Sequence, residues 1–455
     1  MEKPFALPRE NKMGIMPINR LLLSMSIPMM VSMTIQALYN VVDSLFVARI
    51  GEDALTAVSL AFPVQNVMIS LAVGTAVGVN AVLSRSLGEK NQAEVNNAAN
   101  NGIFLAFVCY LFCLVFGLFF VRPYFAVQTR IKPILDYGYD YLSVVTTFSF
   151  AIFAQIMFER LLQSTGMTFY TMIAQGAGAV VNIILDPVMI FGLFGFPALG
   201  VRGAAIATVI GQAAGFGLAL FFNLRFNRYI QIELRGFRPN WITIKNIYKV
   251  GVPSIVMMTI GSVMTFGMNK ILLAISSTAT AVFGVYFRLQ SFIFMPVFGL
   301  NNGIVPIVAF NYGARNKTRI VRTIKISVAY AMGIMVIGVL IFQFLPRELL
   351  LLFNASPAMM AIGVHALPVI SWSFLGAGFC VVSGTVFQSL FASHLSMIVS
   401  VTRQLVVLLP AALILASIGG LNLVWWSFPI AEVASVVFSA VFLRKLYVDR
   451  IKPLG

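Results

Sequence analysis

A chain of 455 residues that is 59% hydrophobic and only 10% charged has more apolar surface than a water-soluble fold can hide. Its net charge of +16 would suit a nucleic-acid binder, but the 31 Lys and Arg lie mostly between apolar spans, where a basic excess is a topology signal. What remains is an all-α polytopic membrane protein, with no room for a soluble catalytic domain.

Residues 1–20 are polar, and the apolar run after them is too long for the core of a cleavable signal, so no signal peptide is expected. Twelve apolar spans follow, near 21–48, 54–83, 96–121, 133–158, 168–193, 201–224, 247–275, 279–310, 320–345, 358–390, 396–418 and 421–443. An even count puts both termini on one side. That side collects 23 Lys and Arg, Arg160 and Arg403 counted among them. The other side has six: Arg49, Arg122, Arg130, Lys132, Arg202 and Arg347. Both termini are therefore expected in the cytoplasm, with the chain in the plasma (inner) membrane. The outer connections are short and use glycine for tight backbone, as in Gly51-Glu52-Asp53. The basic turns at 85–95 and 311–325 are expected to lie as amphipathic segments along the inner membrane surface.

The chain matches itself at a shift of 225 residues. Pro28 falls on Pro253, Met33-Thr34-Ile35 on Met258-Thr259-Ile260, Gln65 on Gln290, Gly88 and Asn91 on Gly313 and Asn316, and Gln163-Ser164 on Gln388-Ser389. A duplicated unit of six spans keeps its orientation, so the halves are parallel repeats with substrate expected between them. The expected organisation is an N-terminal six-helix lobe over 1–230, a cytoplasmic linker over 231–245 and a C-terminal six-helix lobe over 246–455.

The informative residues are the polar ones inside spans. Stretch 180–192, Val-Val-Asn-Ile-Ile-Leu-Asp-Pro-Val-Met-Ile-Phe-Gly, holds Asn182 and Asp186 one helical turn apart and on one face. A carboxylate at bilayer depth costs about 2.5–3.5 kcal/mol and needs a partner or a function. Pro187 removes a donor and frees the carbonyl of Ile183, so a polar, unwound helix lining a cavity is expected there. In the first span Asp43 has Asn40 a turn before it and Tyr39 beside that. Counted from the inner side, Asp43 and Asp186 both reach the outer half of the lobe and can face each other. Two carboxylates in low dielectric cannot both ionise cheaply, which makes the pair a candidate proton switch. The repeat is an internal control: Asp43 aligns with Met268, Glu159 with Gly384 and Asp186 with Ala411, so these acids belong to the first copy alone.

Glu159 counts to the inner end of its span beside Arg160, where a coupling acid and a surface ion pair are both open readings. Arg288 counts to mid-span in the second half and must pair or face water; Glu432 has no evident partner. Asp136, Tyr137, Tyr139 and Asp140 read as interfacial, and Tyr141 stands out among them as a site candidate. The two histidines, His365 and His394, neighbour no nucleophile, and Cys109, Cys113 and Cys380 have no metal or redox spacing.

Three stretches together resemble the multidrug and toxic compound extrusion (MATE) family, over nearly the whole chain. They are Tyr39-Asn40-Val41-Val42-Asp43, Asn182-Ile183-Ile184-Leu185-Asp186-Pro187 and Gly200-Val201-Arg202-Gly203-Ala204-Ala205-Ile206-Ala207-Thr208, with Val305-Pro306 and Asn311-Tyr312-Gly313-Ala314 matching that family's inner turn. Glu159 together with Asp186 is most similar to the MepA-like branch. The resemblance implies an antiporter, not an enzyme, that exports cationic amphipathic drugs against H⁺ or Na⁺ by rocker-switch alternating access. It needs no cofactor and is expected to act as a monomer with lipid around it. The resemblance further implies a proton or Na⁺ site from Asp43, Asn182 and Asp186 with Asn40, Tyr141 and Thr208; Glu159, Tyr39, Arg288 and Gln65 are candidates for coupling or drug contact. Where some relatives carry second-half acids, this chain offers Asn269-Lys270 and His365, so no such sodium site is expected there. The competing reading is a lipid-linked saccharide flippase of the same superfamily, which needs a basic cluster; Arg288 alone does not make one.

Overall fold

The computed structural model describes residues 10–233 and 237–454. Lys3 and Arg9 of the charge count, and Arg235 and Gly236 of the linker, lie outside the described residues. Regular structure among the described residues is helical, as lipid demands of a backbone that must satisfy its own hydrogen bonds. A short α1 (Lys12–Ile15) precedes the long α2 (Ile18–Ala48), α3 (Glu52–Gly88) and α4 (Gln92–Phe119). Then come α5 (Val121–Gln128), α6 (Lys132–Thr147), α7 (Phe150–Ser164), α8 (Thr168–Phe191) and α9 (Gly200–Arg225). The second half runs α10 (Trp241–Ile275), α11 (Ser277–Gly313), α12 (Lys317–Phe344), α13 (Pro346–Leu351), α14 (Pro357–Ser371), α15 (Ser373–Ser389), α16 (Ser393–Val401), α17 (Leu409–Val424) and α18 (Ser427–Leu446).

Ten helices are long and apolar enough to cross a membrane, and the bent pairs α6–α7 (45°) and α14–α15 (44°) bring the spans to twelve. The eleventh span is α16 and α17 joined through a π-helical turn, Thr402–Leu408.

The basic turns at 85–95 and 311–325 are not separate amphipathic segments, although their apices are exposed. They are tight reversals between α3 and α4 and between α11 and α12, and they match in detail. Lys90 (φ 57°) and Arg315 (φ 54°), 225 apart, take the left-handed conformation. The next residues, Asn91 and Asn316, cap the following helices: their side-chain oxygens accept from the amides of Glu94 (3.2 Å) and Arg319 (3.1 Å). A second reversal also repeats, with Gly166 (φ 88°) in one copy and Phe391 (φ 59°) in the other.

Two compact units emerge. Among the described residues, unit 1 is Val31–Val252 with residues 10–15, and unit 2 runs from Pro253 to residue 454 with Met16–Met30. The start of α2 thus belongs to unit 2 and the start of α10 to unit 1, and the changeovers fall within three residues of Pro28 and at Pro253. In unit 1 the asparagine-rich start of α4 pins the linker. Asn96 accepts from the amide of Gln231, Asn100 donates to the Gln231 carbonyl and accepts from the amide of Glu233, and Asn101 accepts from the amide of Asn240. Two amide side chains a turn apart meet successive backbone groups much as a neighbouring strand would.

Candidate cation site of the first unit

The close approach of α8 and α9 builds the floor of the site. Gly211 and Gly215 form a small-xxx-small pair, and a Cβ at Gly178 would lie 2.8 Å from the carbonyl oxygen of Gly211. A Cβ at Gly203 would collide with the backbone of Met189. With no side chains between the backbones, Thr208 of α9 reaches α8: the Asn182 amide donates to the Thr208 hydroxyl at 3.4 Å and to Asp186 Oδ1 at 3.3 Å. Asp186 is fully buried and Asn182 nearly so. Contrary to the expected unwinding, α8 stays helical through Pro187 to Phe191. Its polar face comes from i, i+4 spacing rather than from broken backbone.

From α2, half-buried Asp43 and Tyr39 close the site: Asp43 and Asp186 interact electrostatically, and Tyr39 feels both carboxylates. From α6, buried Tyr141 feels the same two charges, and its hydroxyl accepts from Gln65 of α3 at 3.2 Å. Asn40 does not join; it is exposed, and only its carbonyl is engaged, by Ser44. Three buried acceptors on these residues have no hydrogen-bond partner: Asp43 Oδ1, Asn182 Oδ1 and Asp186 Oδ2. An unsatisfied buried acceptor costs about 1–3 kcal/mol, so three together are suited to a proton or a hard monovalent cation. No group of three or more His, Cys, Asp or Glu able to hold a metal occurs among the described residues.

Glu159 occupies a second centre, and it is not a surface acid. It and Arg160 are both buried; Gln155 donates to Glu159 Oε1 at 2.9 Å, and Arg160 donates to Gln163 at 2.8 Å. The Thr171 hydroxyl donates to the Glu159 carbonyl at 3.3 Å, and Thr171 lies fifteen residues before Asp186 on α8, about 22 Å along the axis. Arg160 thus has no place in the surface charge count, and neither does Arg403, which sits inside the eleventh span. Arg288 is exposed on α11. Sequence reasoning missed one link: Gln175 donates to Gln36 at 3.2 Å. Its signal was Gln36 seven residues before Asp43 and Gln175 seven before Asn182, each on the polar face of its helix.

The MatE family model matches residues 28–188 and again 253–414, one match for each copy of the repeat. The chain is 25% identical to a protein named FAD transporter from Shewanella oneidensis over 91% of this chain and 92% of that one. It is 27% identical to the multidrug export protein MepA of Staphylococcus haemolyticus over 95% and 96% of the two. A solved outward-facing multidrug resistance MATE transporter superposes with a TM-score of 0.91 over 99% of both chains at 24% identity, a likeness of fold. Twelve spans, two matched repeats and full-length relatives agree: the chain belongs to the MatE family and is a MepA-like membrane transporter, not an enzyme.

Proposed function

We propose that this chain exports cationic amphipathic drugs in exchange for H⁺ or Na⁺, with Asp43 and Asp186 as the coupling pair and alternating access of the two repeat halves as the mechanism. The observation that carries the reading is the pairing of these two span-buried carboxylates with the unpartnered oxygen of Asn182. Two negative charges at that depth favour uptake of one cation, and its departure restores the repulsion that helps drive the next uptake. Tyr39, Tyr141 and Thr208 orient the oxygens, Gln65 holds the Tyr141 hydroxyl, and Glu159 is the second exchange point nearer the cytoplasm. One charge moving inward is worth about 2.3 kcal/mol per 100 mV, enough for roughly a fiftyfold drug gradient. Both termini are cytoplasmic and the monomer is the working unit in this reading.

The relative named FAD transporter supplies a second reading, an anionic dinucleotide as cargo. The observation favouring it is basic: Arg288 is exposed within α11, and Lys270 stands over the ring of Phe266 at 5.8 Å in α10. The test is transport by purified protein in liposomes, with pH and sodium gradients imposed separately and ethidium or FAD as cargo. Ethidium movement driven by either gradient supports the first reading and names the ion. FAD movement without ethidium movement replaces the cargo, and silence with both cargoes overturns both readings.

A further inference from the structure

Unit 2 contains a buried charged centre of its own. Arg403 donates to Glu432 Oε2 at 3.2 Å, joining the π-turn to α18. Glu432 is 5% exposed, and its other oxygen, Oε1, has no partner. On the same face of α18 lie Ser435 and Ser439, each 1% exposed, and neither hydroxyl has a well-formed hydrogen bond beyond its approach to the Cys380 thiol. All three side chains stand against the Cys380 thiol of α15, and Gly376, one turn earlier, gives the Glu432 stem room: a Cβ there would lie 2.7 Å from its Cγ. Three buried oxygens therefore gather around a thiol, a weak hydrogen-bonding group that leaves much of their desolvation cost unmet.

The backbone is built for this pair. A π-turn is how a helix absorbs one extra residue, and such turns gather at functional sites. The only π-turn within the matched stretches, among the described residues, is Thr402–Leu408, which begins beside Arg403 and runs up to Pro410, whose missing N–H already loosens the ladder. At the 225-residue shift Arg403 falls on Gly178, the residue that lets α8 close on α9 in unit 1. One copy has no side chain where the other places a guanidinium.

We infer that Glu432, with the Ser435 and Ser439 hydroxyls, is a second site for a small monovalent cation, a proton or Na⁺, and that the Arg403 guanidinium is a tethered cation competing for it. The charge balance requires the competition. Glu432 holds one positive charge at a time, so an incoming cation displaces Arg403, whose side chain is 30% exposed and can move outward as the π-turn relaxes. The ionisable groups turned toward Glu432 are Arg403, Tyr286 of α11 and Cys380 of α15. Of the other elements packed on α18, α14 and α16 bring only the exposed His365 and His394, α17 brings no ionisable residue, and the turn Tyr447–Ile451 brings Tyr447, Asp449 and Arg450, fifteen or more residues beyond Glu432. The inference does not depend on the Asp43–Asp186 pair.

The test uses full-length protein lacking the first-unit carboxylates, Asp43→Asn with Asp186→Asn. Proton release and heat are followed during titration with NaCl, with choline chloride as control, and proton uptake is followed in a pH titration without sodium. One cation should still bind, and adding Glu432→Gln should abolish it. Adding Arg403→Ala instead should tighten it at least tenfold, because the tethered competitor is gone. Binding on addition of NaCl but not choline names Na⁺, and uptake in the pH titration alone names the proton. Identical titrations with and without Glu432→Gln would overturn the inference, as would weaker or unchanged binding in Arg403→Ala. The Arg403→Ala arm keeps the test decisive if the Glu432 variant fails to fold.

Discussion

In unit 1 the fifth span carries Asn182 and Asp186 beneath Thr208, and among the described residues neither Asp43 nor Asp186 has an ion-pair partner. In unit 2 the eleventh span, its repeat, carries Arg403 onto Glu432. Both units descend from one repeat, with the same asparagine caps and the same left-handed turns, so their scaffold was kept while their buried charge diverged. The difference teaches where each unit keeps its counter-charge. In the proposed reading unit 1 recruits its cation from outside the chain, whereas unit 2 has one covalently attached, on a π-turn of the eleventh span.

The comparison breaks most sharply at the carboxylates. Asp43→Asn and Asp186→Asn are each expected to reduce gradient-driven ethidium efflux to background while the thermal midpoint holds or rises, since each removes a buried charge without changing shape. Wild-type efflux in either variant would remove unit 1 as the coupling unit. Next comes the pair in unit 2. Arg403→Ala strands Glu432 and should cost about 2–3 kcal/mol of stability, reduced from the value for a fully dry pair because Arg403 is partly exposed. Most of that loss should return in the double variant with Glu432→Gln; an additive double-mutant cycle would show that the two side chains do not interact.

Gly178→Leu probes the same repeat position in unit 1. It drives a side chain into the Gly211 carbonyl and should cost about 1–3 kcal/mol, with loss of the Asn182–Thr208 hydrogen bond. Thermal unfolding with and without NaCl would separate packing from ion binding. The caps sharpen the symmetry: Asn91→Ala and Asn316→Ala should each cost about 1 kcal/mol and by equal amounts, because the two turns share one geometry. Unequal losses, read from thermal midpoints, would show that the inner turns are not equivalent. The smallest effect is expected from Thr208→Val, about 0.5–1 kcal/mol for one long hydrogen bond, seen as a few-fold weaker response to the coupling ion.

Much of this was legible beforehand. A bilayer forces the backbone into helices and makes each buried charge conspicuous, so the twelve spans, the repeat and the separation of Asp43, Asp186 and Glu159 from the apolar background are readable along the chain. Helical period puts Asn182 on the face of Asp186, and counting from the inner side puts Asp43 at a matching depth. Counting left Glu159 open and placed Arg160 among the surface charges, because distance from a span's end says nothing about whether neighbouring helices cover that end. It misjudged Arg403 for a related reason. The π-turn adds a residue without marking the sequence, and Arg403 reads as one more inner-side cation until α18 is packed beside it.

What the sequence determined by itself is the set of local quantities: which segments are helical, which faces are polar, where asparagine caps a turn and which proline frees a carbonyl. These depend on residues within a few positions of one another. The tertiary structure alone decided the partners: Gln65 for Tyr141, Gln36 for Gln175, Gly178 against Gly211 and Arg403 for Glu432. Those pairs lie between 29 and 139 residues apart, and the angle and approach of packed helices, which no periodicity encodes, determine which faces meet.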